Sequence, residues 1–207
     1  SGNTVIDALY WVLNRIENDE KKSLKLDKML NKILDFNWKK DRIVLITCHR
    51  RENFGKGITQ ICKAIGKLAS KFKDIKFVYP VHLNPNIQNP VRNILKNTSN
   101  VFLIKPLNYE PFVYLLKHCY IILTDSGGIQ EEAPSLGIPV LVMRNVTERP
   151  EALNAGTVEL VGANEEIIVN KTSMLINDLN YYTKMAQAHN PYGDGKACER
   201  IIKALQN

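Results

Sequence analysis

The sequence predicts an α/β fold, a Rossmann-like parallel sheet with helices on both faces. Three observations point to it. Short β-branched runs of four to six residues recur along the chain, and stretches with a helical apolar period separate them. The charged and glycine-rich motifs fall where those runs end, which in parallel sheets is where ligands bind. The 207 residues are 44% hydrophobic and 24% charged, enough apolar material for a packed domain and too much for a disordered chain.

The elements come in a regular order. Residues 1–18 carry Val5, Ile6, Leu9, Val12, Leu13 and Ile16 at spacings of three and four, so an amphipathic helix is expected there, with Thr4 as its cap. A second helix is expected near residues 26–34. Residues 42–47 (RIVLIT) form a continuous β-branched run, the pattern of a strand covered on both faces. Further strands are expected at 75–79, ended by Pro80, and at 101–104, 120–123, 138–142 and 157–161. Helices are expected at 57–72, 86–97, 110–118, 128–136, 148–154, 165–179 and 196–205.

Several function classes are set aside early. No run of about 18 apolar residues suggests a membrane span, and no basic-then-apolar opening suggests a secretory signal. Cys48, Cys62, Cys119 and Cys198 never form C-x-x-C, and His49, His82, His118 and His189 do not join them at ligand spacing. No metal site is therefore expected, and reduced thiols suit a cytoplasmic protein. Residues 1–100 hold 19 Lys and Arg against 9 Asp and Glu, whereas residues 101–207 hold 9 against 12. That asymmetry is compatible with an anionic partner, but lysines such as Lys63, Lys67 and Lys71 fall at helical spacing as a solvated face would. Aromatic platforms are sparse beside them, so nucleic acid is not the expected partner.

Two loops concentrate the chemistry. After the first strand comes Cys48-His49-Arg50-Arg51-Glu52-Asn53-Phe54-Gly55. Two guanidiniums near a helix start can bind an anion, and His49 can act on a phosphate as donor or acid; the structural alternative is Glu52 simply pairing with an arginine. After the fourth strand, Thr124-Asp125-Ser126-Gly127-Gly128 opens a helix. Its glycines allow close backbone approach, and its first amides and the Ser126 hydroxyl suit a phosphate or diphosphate. Glu131 and Glu132 are expected in the first helical turn, either stabilised by the dipole or, for one of them, accepting from sugar hydroxyls.

Other strand ends add candidates. His82 stands between Pro80 and Pro85 and is either structural or ligand-facing. Phe112 is either core or an aromatic stack for a base. Arg144, Glu148 and Arg149 follow the fifth strand on the same edge. The turn-rich segment Asn190-Pro191-Tyr192-Gly193-Asp194-Gly195 reads as structural.

Taken together, T-x-H-R-R-E-N-F-G (47–55), P-V-H-L-N-P (80–85), T-D-S-G-G-I-Q-E-E-A-P (124–134), E-R-P-E (148–151) and N-P-Y-G-D-G (190–195) closely resemble the non-hydrolysing UDP-N-acetylglucosamine 2-epimerases. The opening S-G-N-T-V-I-D-A-L resembles that family's segment entering its second domain. The resemblance implies the C-terminal half of a two-domain GT-B arrangement. Residues 1–40 would be linker helices and 41–207 a Rossmann-like UDP-binding domain, without the family's N-terminal catalytic domain.

The activity implied is interconversion of UDP-N-acetylglucosamine and UDP-N-acetylmannosamine without an external cofactor, serving polysaccharide biosynthesis in a homodimeric full-length enzyme. UDP is eliminated to a 2-acetamidoglucal and added back with opposite configuration at C2. By the same resemblance His49 is implicated in catalysis and nucleotide contact. Ser126, Gly127 and Gly128 would cradle the diphosphate, Glu132 would hold the ribose, and Leu107 (through its backbone) and Phe112 would lie at the uracil. Arg149 would complete the nucleotide contacts. Arg50, Glu52 and His82 match positions lining a second, activating UDP-N-acetylglucosamine site. The family's acid/base carboxylates belong to the other domain, so this chain alone is expected to bind UDP weakly and not to epimerise. Two other readings stay open: a GT-B nucleotide-sugar glycosyltransferase domain and a non-catalytic UDP-sugar-binding module.

Overall fold

The computed structural model describes residues 1–206. Its centre is a six-stranded sheet: β1 (Ile43–Thr47), β2 (Lys76–Pro80), β3 (Val101–Ile104), β4 (Ile121–Thr124), β5 (Val140–Val142) and β6 (Val158–Leu160). All five neighbouring pairs are parallel, in the order β3-β2-β1-β4-β5-β6. That is the doubly wound order: the chain leaves β1 toward one edge and returns at β4 toward the other. The loops after β1 and β4 therefore part from each other, and a crevice opens between them.

The four inner strands are buried on both faces, as the uninterrupted apolar runs required, and the edge strands β3 and β6 are partly exposed. Alternation sends Val44, Ile46, Phe77 and Leu123 to one face, against α3 (Lys56–Lys71), α4 (Pro85–Leu95) and α8 (Glu165–Asn177). Ile43, Leu45, Val78 and Ile122 go to the other, against α2 (Glu20–Ile33), α5 (Tyr109–Leu116) and α7 (Pro150–Ala155). Each fully buried aliphatic side chain contributes roughly 1.5–3 kcal/mol of burial. Trp38 closes the second face. It is 1% exposed, its indole N–H donates to Asn31 at 2.8 Å, and Tyr114 and His118 meet its ring edge-on.

α1 (Thr4–Glu17) seats Ile6, Leu9, Leu13 and Ile16 on the domain, touching α5, α6 (Gly127–Glu132) and α10 (Ala197–Leu205). Its other side is solvated, and Trp11 there is 59% exposed beneath the Arg15 guanidinium.

Several boundaries differ from expectation for local reasons. Asn3, not Thr4, caps α1, its side chain accepting from the Val5 amide at 3.0 Å. Asp19 caps α2, so that helix starts well before residue 26. Pro85 and Pro150 occupy first helical positions, where a missing N–H costs nothing. Pro80 is the last residue of β2 rather than its terminator, and the Val81 amide continues the ladder to Ile104. The helix expected at 165–179 is α8 and stops at Asn177; Asp178, accepting from the Asn180 and Tyr181 amides, starts a further helix, α9 (Leu179–Ala186), that was not expected. A 3-10 turn at Arg51–Asn53 was not expected from the pattern. No helix among the described residues is long and apolar enough to cross a membrane.

Candidate functional site

The site begins where β1 and β4 end side by side. Their last residues, Thr47 and Thr124, join hydroxyls at 2.6 Å, and Thr124 also accepts the Ser126 amide at 2.9 Å. The next residue after β4, Asp125, is wholly buried and organises the loop that leaves β1. Its carboxylate accepts from the His49 amide at 3.0 and 3.1 Å, the Arg50 amide at 2.9 Å, the Asn53 side-chain amide at 3.0 Å and the Cys48 thiol at 3.1 Å. Asn53 reaches on to the Met143 carbonyl at 3.2 Å, so the ends of β1, β4 and β5 are knitted together. Burial, reinforced by Asp125, pushes the Cys48 thiol well up, which keeps it the proton donor of that pair. Gly55 lets the chain turn from the 3-10 segment into α3 at φ +75°, a conformation other residues rarely adopt.

Around this anchor the predicted residues gather. His49 is half-exposed, with Nδ1 3.3 Å from an Asp125 oxygen. Its ring stacks on His82 at 5.9 Å between centroids, and His82 Nδ1 accepts the Asn84 amide at 3.2 Å. His49, His82, Leu107, Phe112, Ser126 and Ile129 line one cavity of about 190 Å³. A larger groove of about 620 Å³ lies beside β3 and α4, and no predicted site residue lines it.

Beside the cavity, two guanidiniums converge on Gly127. A Cβ on that glycine would stand 3.6 Å from Arg50 Nη2 and 3.9 Å from Arg149 Nη2, while Gly128 next to it faces open space. Ser126 begins α6 without using its hydroxyl as a cap. Arg50 makes no ion pair among the described residues, and its buried Nε has no partner. Arg149 is held by Glu131, which also accepts from the Asn3 side chain at 2.9 Å. Cationic donors, a bare helix start and an unused hydroxyl make an anion cradle next to an apolar slot.

Two candidates lie outside both the cavity lining and the guanidinium cluster at Gly127. Glu52 pairs with the buried Arg144 of the β5 loop, at 2.5 and 3.3 Å. Glu132 is 6% exposed and accepts the Tyr109 hydroxyl at 2.7 Å. Burial pushes its carboxyl up from 4.5, opposed by the Tyr109 hydrogen bond. α6 starts at Gly127 and ends at Glu132, so neither Glu131 nor Glu132 lies in its first turn, and the expected dipole role is replaced by Arg149 and Tyr109 as partners. Asp125 and Tyr109 were not singled out from sequence. Asp125 sat in view within T-D-S-G-G, but three of its donors come from a loop more than 70 residues earlier. Among the described residues no three His, Cys, Asp or Glu side chains gather as a metal site.

Comparison with known proteins gives the family. The family profile described as UDP-N-acetylglucosamine 2-epimerase matches residues 1–206. A UDP-N-acetylglucosamine 2-epimerase of Campylobacter jejuni is 54% identical over 205 residues, covering 99% of this chain and 53% of that protein. The crystal structure of the Neisseria meningitidis UDP-GlcNAc 2-epimerase bound to UDP-GlcNAc is 48% identical with a TM-score of 0.91, covering 99% of this chain and 54% of that one. A C-terminal glycosyltransferase domain from Francisella tularensis, 17% identical with a TM-score of 0.55 and coverage of 77% and 86%, shares the fold alone. The chain spans about half the length of the curated relatives it matches. By these matches the chain belongs to the UDP-N-acetylglucosamine 2-epimerase family and corresponds to its C-terminal half.

Proposed function

We propose that this chain is the nucleotide-binding part of a non-hydrolysing UDP-N-acetylglucosamine 2-epimerase, residues 1–40 linking it to a catalytic N-terminal domain and 41–207 holding UDP. The observation that carries the reading is the convergence of Arg50 and Arg149 on Gly127, next to a slot lined by Leu107 and Phe112. A diphosphate is doubly anionic and a uracil is flat and largely apolar on its faces, so the two halves of the site match the two halves of the ligand. Ser126, Gly127 and Gly128 would take the diphosphate with Arg149, Glu132 the ribose, and Phe112 with the Leu107 backbone the uracil. His49, on the cavity wall, would act on the phosphate by taking up a proton at its ring and passing it on.

UDP elimination to 2-acetamidoglucal and re-addition at C2 require a base for the C2 proton, which this domain does not supply; the partner domain would provide it and close over the glucal. Arg50, Glu52 and His82 would line the activating UDP-N-acetylglucosamine site. Because Arg50 also borders Gly127, an activator there would abut the diphosphate. The complete homodimeric enzyme would work in the cytoplasm, without cofactor, supplying UDP-N-acetylmannosamine for polysaccharide biosynthesis.

Calorimetry on the chain is expected to give weak UDP binding. Co-expression with an N-terminal-domain polypeptide of a relative should then give C2 epimerisation with solvent deuterium incorporated at C2. Turnover by the isolated chain, or glycosyl transfer in place of epimerisation, would overturn the reading.

A further inference from the structure

We propose that Asp125 is the positioning residue for His49: its buried carboxylate keeps the neutral imidazole proton on Nδ1 and leaves Nε2 as the nitrogen offered to the cavity. The proposal rests on the nucleotide reading only for what Nε2 meets; the tautomer itself is set by the geometry.

The lone pairs decide it. Every hydrogen-bonding partner of the Asp125 carboxylate is a donor: three N–H groups of the β1 loop and the Cys48 thiol. Both carboxylate oxygens are therefore acceptors, and one of them stands 3.3 Å from His49 Nδ1. An unprotonated Nδ1 would set its negative end 3.3 Å from that oxygen, which is fully buried, whereas a protonated one is attracted to it. The same carboxylate fixes the His49 and Arg50 backbone, so ring and main chain are oriented by one group. An imidazole held this way presents a single nitrogen, and a carboxylate behind it stabilises the charge when that nitrogen takes a proton. His82, stacked on it, must do the opposite, since its Nδ1 accepts the Asn84 amide and its proton belongs on Nε2. Two stacked imidazoles with opposite tautomers are a specific arrangement that loop folding alone does not demand.

Long-range proton–nitrogen NMR of the nitrogen-15-labelled chain, at a pH where imidazoles are neutral, reads this directly. His118, whose Nδ1 faces the Tyr114 carbonyl at 2.9 Å, gives the reference pattern for Nδ1–H, and His82 the pattern for Nε2–H. His49, assigned through H49Q, should match His118. A His49 spectrum matching His82 overturns the proposal on the unaltered chain, whatever the variants do. Asp125→Ala, where folded, should shift His49 to the Nε2–H pattern that free imidazole prefers; retention of Nδ1–H there also overturns it. Added UDP should move the His49 Nε2 resonance and leave Nδ1 protonated. An Nδ1–H tautomer with no response to UDP would sink the nucleotide reading while leaving the role of Asp125 intact.

Discussion

The rim of the sheet has two halves built on different principles. At the ends of β1 and β4, position is set by polar contacts: one buried carboxylate collects four donors, and two guanidiniums lean on a glycine. At the ends of β2 and β3, position is set by shape: Pro80, Pro106, Leu107 and Phe112 wall a slot with few hydrogen bonds. The first half is stiff and charged, and the second offers area. The contrast teaches that one loop cluster can hold a charged side by buried polar anchoring and an apolar side by packing.

The largest expected effect breaks that anchor. Asp125→Ala strands several buried donors, each costing roughly 1–3 kcal/mol, so a loss of about 3 kcal/mol or more in urea unfolding is expected. Leu107→Ala on the apolar side, only half-buried, should cost about 1 kcal/mol. Equal losses would erase the distinction between the halves.

Next comes a separation by ligand. Arg50→Ala removes a charged donor worth about 1.5–3 kcal/mol, so titration should show both UDP and inorganic pyrophosphate binding roughly tenfold to a hundredfold more weakly. Phe112→Ala should weaken UDP by roughly two- to tenfold, in line with about 0.5–1.5 kcal/mol for a ring contact, and leave pyrophosphate unchanged. If pyrophosphate is lost equally in the Phe112 variant, the slot does not read the base.

The smallest effect concerns pH. Burial raises the Glu132 carboxyl above 4.5 in the folded chain, so folding favours its protonated form. That contribution is fully present below 4.5 and is lost as pH rises through the higher folded value. Relative to Glu132→Gln, the native chain should therefore lose unfolding free energy as pH climbs from 4.5, and parallel pH curves for the two would contradict this.

Much of this was legible in the letters. Unbroken β-branched runs announced strands covered on both faces, and the charged motifs at their ends located the rim. The helix α9 was hidden because Met185 is the one residue it buries, so it shows no apolar period, and its start is set by the Asp178 cap. The 3-10 turn at Arg51–Asn53 was equally hidden, being held by tertiary hydrogen bonds from Asn53 rather than by local propensity. Tyr109 carries no signal of its own, since its hydroxyl finds Glu132 only once the start of α5 is brought to the end of α6. Contacts of this kind are properties of the assembled rim and have no period to read.

The unequal settings of Trp11 and Trp38, the chain's two tryptophans, give the molecule a built-in optical gauge. A water-soluble collisional quencher should extinguish the emission of Trp11 and spare that of Trp38. With Trp11→Phe the remaining fluorescence comes from a single sealed indole wedged between α2, α5 and the sheet. Its red shift would then time the opening of that face alone, without any label added.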